Sequence, residues 1–263
     1  MNSQGRIDNS VKNSSLGIVA QISNIILGLI VRTVFIRCLR AEYLGVNGLF
    51  SNILTMLSLA ELGVGSAIVY NMYKPIAMDD TVAVAKLMNL YRDAYHLIGV
   101  IVAVLGVMVI PFMDYIIKDS PDIGNLTLIY LMFLSNTVLS YFFSYKRSIF
   151  SADQRERTLT FINLIMTVIK DAFQIVVLLL FKSFIIYLAV QIICTLVENI
   201  LASAYADKCY PFLRVYSKEK LSKQERASIF QDIKALLMYK IGGVALNGTD
   251  NIIISAFDGL ISV

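Results

Sequence analysis

Tryptophan is absent from the 263 residues, histidine occurs once (His96), and Asp, Glu, Lys and Arg together make up only 16% of the chain. An ordinary soluble domain carries roughly 25% charged residues. The shortage of charge therefore argues against a soluble enzyme, and it also argues against a disordered chain, which needs many charges and few apolar groups. A single histidine leaves little room for His-dependent acid–base or metal chemistry. The three cysteines, Cys38, Cys194 and Cys209, are odd in number and far apart, which suggests neither a disulfide framework nor a zinc site.

Apolar residues fill the space instead: they make up 57% of the chain, and the mean hydropathy is +0.69. Roughly 45–50% is usual for a soluble domain. The excess is too large for one globular core, and it falls in long runs, the mark of an integral membrane protein. Seven stretches of about 20 mostly apolar residues predict membrane helices. They run near Leu16–Ile36, Leu44–Tyr70, Ala94–Ile117, Leu126–Tyr145, Leu159–Phe181, Phe184–Tyr205 and Ile233–Phe257. A β-barrel would show short alternating segments instead. Only Lys182 and Ser183 separate the fifth and sixth spans, which predicts a tight helical hairpin. Met1–Ser15 is polar and lacks the small-residue site of a cleaved signal peptide, so the first span is expected to stay in the protein.

Orientation follows from where the 23 Lys and Arg residues fall. One set of alternate connections holds Arg6, Lys12, Lys74, Lys86, Arg92, Lys146, Arg147, Arg155, Arg157, Lys208, Arg214, Lys218, Lys220, Lys223, Arg226 and Lys234. The other set holds only Arg37, Arg40, Lys118 and Lys182, and Arg32, Lys170 and Lys240 lie within spans. This bias predicts a cytoplasmic N-terminus. With no Trp, the interfacial aromatic belt falls to Tyr, and Tyr70, Tyr73, Tyr91, Tyr115, Tyr141, Tyr145, Tyr205, Tyr210 and Tyr216 sit near predicted span ends as anchors. His96, near the inner end of span three, is also expected at the interface. Between spans six and seven a connection of about 28 residues contains KEKLSKQERASIFQDIKAL. There Ser222 and Glu225 have capping-box spacing, which predicts a helix from Ser222 into the seventh span. The plain expectation for this connection is a solvated basic linker held near anionic headgroups.

Ionisable groups in a membrane helix cost roughly 2.5–3.5 kcal/mol each and so need a wet or paired setting. Arg32, Glu61, Lys170, Asp171, Glu198, Lys240 and Asp250 fall inside predicted spans. Arg32 and Asp250 count to the outer half of the membrane and Glu61 to the inner half, which makes an Arg32–Glu61 ion pair improbable. Arg32 and Arg37 suit a cationic wall for an anion such as a phosphate, which Arg grips through its planar fork; the alternative is snorkelling to headgroups. Glu61 is a candidate for a functional contact or for helix packing, since its neighbours Gly63 and Gly65 permit close approach. Lys170 and Asp171 point about 100° apart on one helix, so they are not expected to face the same narrow cavity. No nucleophile–base set, metal spacing or phosphate loop is present, because the Gly63-x-Gly65 pair lies in an apolar helix. An enzyme, a cofactor, a metal site and a nucleic-acid partner are not expected.

The segment Arg37–Tyr70, RCLRAEYLGVNGLFSNILTMLSLAELGVGSAIVY, resembles bacterial polysaccharide repeat-unit flippases, the O-antigen and capsule exporters of the MATE-like superfamily. MYKPIAMDD at 72–80, the Ala152-Asp153-Gln154 turn and GTDNIIISAF at 248–257 agree in the same order. The resemblance implies an all-α polytopic membrane bundle, one MATE-like exporter half with about seven transmembrane helices. In it, 1–205 would form a six-helix lobe, 206–232 a cytoplasmic linker with an amphipathic helix, and 233–263 the first helix of a second lobe. The chain would then hold one half of a longer exporter. The implied activity is flipping of undecaprenyl-pyrophosphate-linked oligosaccharides from the inner to the outer leaflet of the bacterial cell membrane by alternating access. The implied partners are the lipid-linked oligosaccharide, membrane lipids and other polysaccharide assembly proteins. Arg32, Arg37 and Lys170 are then candidates for the anionic part of the substrate, and Glu61 and Asp250 for sugar contacts or ion coupling. Two rivals are a cation-coupled multidrug exporter and a membrane-embedded polysaccharide polymerase. The first is expected to favour acidic groups over Arg32 in its first span. The second needs a large outer loop, whereas the stretch from Lys118 to Asn125 is short and net acidic.

Overall fold

A computed structural model describes residues 3–39, 41–61, 63–113 and 125–239. They form helices joined by short turns, with no strand among the described residues. We number the helices α1 (Ser3–Cys38), α2 (Ala41–Leu57), α3 (Val64–Ala77), α4 (Thr81–Val109), α5 (Leu126–Ser144), α6 (Ser148–Ala152), α7 (Arg157–Phe181), α8 (Phe184–Cys209), α9 (Phe212–Val215) and α10 (223–239). Five helices are long and apolar enough to cross a membrane: Leu16–Cys38, Thr81–Phe112, Leu126–Ala152, Arg157–Phe181 and Phe184–Cys209. The protein is a multi-pass all-α membrane bundle.

The outward surface is apolar, as lipid requires. Ile18, Ile22, Ile25 and Leu29 form an exposed stripe on α1, and Leu97, Val104 and Met108 do the same on α4. Between helices the aggregation force is packing, not hydrophobic burial, because lipid tails are as apolar as the side chains. Gly106 of α4 shows the consequence: a Cβ there would lie 2.4 Å from Leu134 Cδ1 of α5. The Tyr130 hydroxyl donates to the Gly106 carbonyl at 2.9 Å, so the crossing is both close and polar-bonded. α5 also packs on α8, α7 on α8, α1 on α7, and α3 on α4 and α6. A cluster of Phe50, Tyr130, Phe133 and Phe184 rings fills the centre, Phe50 meeting Tyr130 and Phe133 edge-on and Phe133 tilted against Phe184.

The hairpin expected at Lys182 and Ser183 is present. Lys182 adopts a left-handed conformation (φ 48°), and the Ser183 side chain accepts from Ile186 N at 3.5 Å to start α8. The second predicted span, Leu44–Tyr70, is corrected: it is two helices. α2 ends at Leu57, a 3₁₀ turn covers Ser58–Glu61, and Gly63 takes φ 94° before α3 begins. Apolar composition is blind to such a break, because a left-handed glycine changes direction without changing hydropathy. The third span starts at Thr81, well before Ala94, because Asp80 accepts from Ala83 N at 2.9 Å and Val84, Leu87, Met88 and Tyr91 are buried at helical spacing. Most of the seventh lies outside the described residues.

The segment after α8 is not a detached solvated linker. Tyr210, Leu213 and Ile229 are buried, and Asn89 Nδ2 of α4 donates to the carbonyls of Tyr216 and Glu219 at 2.9 and 2.8 Å. Just past α8, Tyr210 donates to Asp153 Oδ2 at 2.7 Å, and burial together with that carboxylate pushes its phenol well above its usual value. The capping box at the start of α10 is reciprocal: Ser222 N donates to Glu225 Oε2 at 2.7 Å, and Glu225 N donates to Ser222 Oγ at 3.2 Å.

Candidate functional site: two cavities in one bundle

Among the cavities of the described residues, two are bounded by different sets of helices. The larger, of about 1250 Å³, lies between α3, α4, α5, α6 and α10. Its wall is hydroxylated. Asn136, Thr137, Ser140, Ser144, Ser148 and Ser151 contribute from α5 and α6 at three- and four-residue spacing, which puts them on one helical face. Tyr91 and Tyr95 of α4 complete the wall, with Tyr141 on the same α5 face as the stripe. The Tyr91 and Tyr95 rings stack with centroids 4.4 Å apart, and the Tyr91 hydroxyl donates to that of Tyr95 at 2.9 Å. The Tyr95 hydroxyl in turn donates to Glu61 Oε1. Glu61 closes the 3₁₀ turn at the helix break, so the break is what aims its carboxylate along this tyrosine chain.

α10 forms one side of this cavity through Asp232, Ala235 and Leu236. Asp232 Oδ2 accepts from Asn71 Nδ2 of α3 at 2.9 Å. The two helices meet so closely at Gly63 that a Cβ there would lie 2.9 Å from the Leu237 backbone nitrogen.

The smaller cavity, of about 600 Å³, lies between α1, α2, α7 and α8. Arg32, Lys170 and Asp171 supply its charge, and Asn24, Asn47, Asn163, Gln174 and Gln191 its amides. Lys170 Nζ lies 3.3 Å from Asp171 Oδ1. That corrects the expectation that these neighbours would face apart: the Cα–Cβ directions do diverge, but the long lysine stem bends its ammonium back to the buried carboxylate. Arg32 has no carboxylate or hydrogen-bond partner among the described residues. Each cavity also holds an unmet acceptor, since Asn24 Oδ1 in the smaller and Asn136 Oδ1 in the larger are buried without a donor among the described residues.

Of the residues singled out from sequence, Arg32 and Lys170 share the smaller cavity and Glu61 lines the larger one. Arg32 and Glu61 are thus kept apart. Arg37 is exposed at the end of α1 and lines neither cavity. Asp250 and Lys240 lie outside the described residues. Tyr91 and Tyr141 are not interfacial anchors: both are buried and line the larger cavity, and Tyr70 and Tyr73 stand at its edge. His96 packs its ring against Phe142 and Tyr145, with centroids 5.1 and 6.0 Å apart. Arg147 and the hydroxyl stripe of α5 also line the larger cavity, and the sequence reading singles out neither. The stripe was visible in the sequence as small polar residues recurring at helical spacing inside an apolar run.

Polar cavities inside an apolar helical bundle define a multi-pass membrane protein with polar interior surfaces. The chain belongs to the polysaccharide biosynthesis protein family, whose model matches residues 10–263. Searches of curated proteins and of solved structures return no match.

Proposed function

We propose that the protein is a transporter that flips undecaprenyl-pyrophosphate-linked oligosaccharide repeat units from the inner to the outer leaflet of a bacterial cell membrane by alternating access, for O-antigen or capsule assembly. The observation that carries this is the pairing of two unlike cavities in one bundle. Neutral sugars need hydroxyl and amide partners and aromatic surface, which Ser140, Asn136, Tyr91 and Tyr141 offer in the larger cavity. A pyrophosphate needs cations, and Arg32, with no carboxylate to neutralise it, offers one in the smaller cavity. The prenyl tail stays in the bilayer throughout, so only the headgroup has to be sheltered. In this reading Glu61, which accepts from Tyr95, serves as a sugar contact or in ion coupling. Chemistry on the substrate has no role here, and the protein acts as a carrier with its N-terminus in the cytoplasm.

Proteoliposomes carrying the protein and a fluorescent polyprenyl-pyrophosphate oligosaccharide test this directly. Expected is faster loss of fluorescence to a membrane-impermeant quencher than in protein-free vesicles. Equal rates would reject the proposal. One feature favours a second reading: Glu61 and Asp232 make the larger cavity acidic, which suits cationic cargo. Efflux of cationic dyes with no effect on the labelled lipid would select that cation-coupled drug exporter instead.

A further inference from the structure

Three cavities share walls. Arg147 and Ser151 line both the larger cavity and a third pocket of about 250 Å³, while Asn163 lines that pocket and the smaller cavity. The third pocket therefore sits at the junction of the two walls, where Glu156 adds a carboxylate. Arg147 ends the 3₁₀ turn Tyr145–Arg147 that joins α5 to α6. Its Nη2 donates to Glu198 Oε1 at 2.8 Å and its Nη1 to Asn199 Oδ1 at 3.3 Å. Asn163 Nδ2 donates to the same Glu198 oxygen at 3.0 Å. The pair is not sealed off, since 28% of the Arg147 side chain and 17% of Glu198 remain exposed. Guanidinium has five N–H donors, so these two bonds leave others for a further acceptor. Arg147 is also the single Lys or Arg among the described residues of the larger cavity's wall, whose other charges are Glu61 and Asp232.

We propose that Arg147 is an anion-binding residue at this junction, taking the pyrophosphate of a prenyl-linked substrate, and that Glu198 is its built-in competitor. An incoming pyrophosphate carries more charge than a carboxylate, and two oxygens of a tetrahedral phosphate can still take both arms of the guanidinium fork. Arg147 can therefore exchange one charge-assisted bond for another, while Asn163 keeps a donor on Glu198. In the larger cavity the anion meets two repelling carboxylates and one attracting cation. In the smaller cavity it meets Arg32 and the Lys170–Asp171 pair. Arg147 is thus the cation on the wall that the larger cavity shares with the third pocket. The identity of the physiological ligand rests on the flippase proposal, but the affinity for the anion does not.

The test is a calorimetric titration of the purified full chain in detergent with inorganic pyrophosphate at low salt. Arg147→Ala is expected to weaken binding about tenfold or more, and Arg147→Lys less, because charge survives but the fork does not. Glu198→Gln is expected to tighten binding by about three- to tenfold, because an internal rival loses its charge. A purely structural pair would give the opposite sign, so weaker or unchanged binding in Glu198→Gln overturns the proposal, as does no binding to the wild type. Circular dichroism melting checks that each variant folds, and the near-isosteric Glu198→Gln carries the test if Arg147→Ala does not. Geranyl pyrophosphate bound at least as tightly as inorganic pyrophosphate supports a lipid-borne ligand, and exclusion of the prenyl form overturns it. The two proposals fail separately. Unchanged flipping by Arg147→Ala rejects this inference alone, and a chain that binds pyrophosphate but flips no labelled lipid rejects the flippase alone.

Discussion

The two cavities differ in how they are built, and the difference accounts for what each can hold. The larger owes its shape to a fault in the backbone, the break at Ser58–Gly63, and its polarity to hydroxyl groups that need no charge to be useful. The smaller is cut between unbroken stretches of α1, α2, α7 and α8, and takes its polarity from Arg32 and the Lys170–Asp171 pair. Neutral hydroxyls can line a wide space cheaply in a membrane protein, because each can satisfy itself on the carbonyl a turn earlier: Thr137 Oγ1 does so on Phe133 and Ser140 Oγ on Thr137. An unpaired cation cannot, and Arg32 persists only where a cavity admits water or an anion. A wide hydroxyl-lined chamber beside a narrow one built on Arg32 and Lys170 suits the proposed cargo, which is mostly sugar with one charged end.

Breaking the larger cavity at its origin gives the largest expected effect. Gly63→Val forces a branched residue into φ 94° and drives a Cβ against the α10 backbone, so a loss of about 3 kcal/mol is expected in thermal unfolding in detergent. Gly48→Ala, on the smaller cavity's wall, has nothing within 4 Å of the added Cβ and is expected to stay within about 0.5 kcal/mol of the wild type. Equal losses at the two sites would deny that the break organises one cavity and not the other.

Next comes charge. Arg32→Ala is expected to reduce export of lipid-linked oligosaccharide by about tenfold or more with normal protein level and insertion, and Arg32→Lys to retain part of it. Unchanged surface polysaccharide at normal protein level would remove Arg32 from the site.

Asn71→Ala, which cuts the α3–α10 bond to Asp232 on the larger cavity's rim, is expected to cost about 1 kcal/mol of stability. The same unfolding measurement checks it.

The smallest effect is at the α10 cap. Ser222→Ala is expected to cost about 0.5–1 kcal/mol, read as faster amide exchange in 223–230. In the wild type the backbone N–H of Ser222 holds the Glu225 carboxyl below its ordinary value of 4.5. A lowered native value means the stabilisation is complete above 4.5 and fades as pH falls through that lower native value. Exchange in this turn should therefore quicken on acidification in the wild type and change less in Glu225→Gln.

Much of the bundle was legible in the sequence, because membrane helices announce themselves by composition. The Lys182–Ser183 hairpin and the Ser222–Glu225 cap were readable for a local reason: each depends on two to four adjacent residues. Arg32 and Lys170 stood out because charge in an apolar run is conspicuous, and they do meet at one cavity. What escaped depended on direction or on distant partners. The break at Gly63 is a single dihedral, and Tyr91 and Tyr141 look like interfacial anchors until the packing of α4 on α5 turns them inward. The Lys170 ammonium is placed by the flexibility of its stem, which helical-wheel geometry ignores. Arg147 resembles any other basic residue at a helix end until Glu198, 51 residues away, is brought beside it.

The most direct measurement of the central claim is the leaflet distribution of lipid-linked oligosaccharides in cells lacking this gene. Complete repeat units trapped on the cytoplasmic leaflet, and released by re-expressing the protein, are the predicted result. Single units that reach the outer leaflet but fail to lengthen, or no change in distribution, would contradict it.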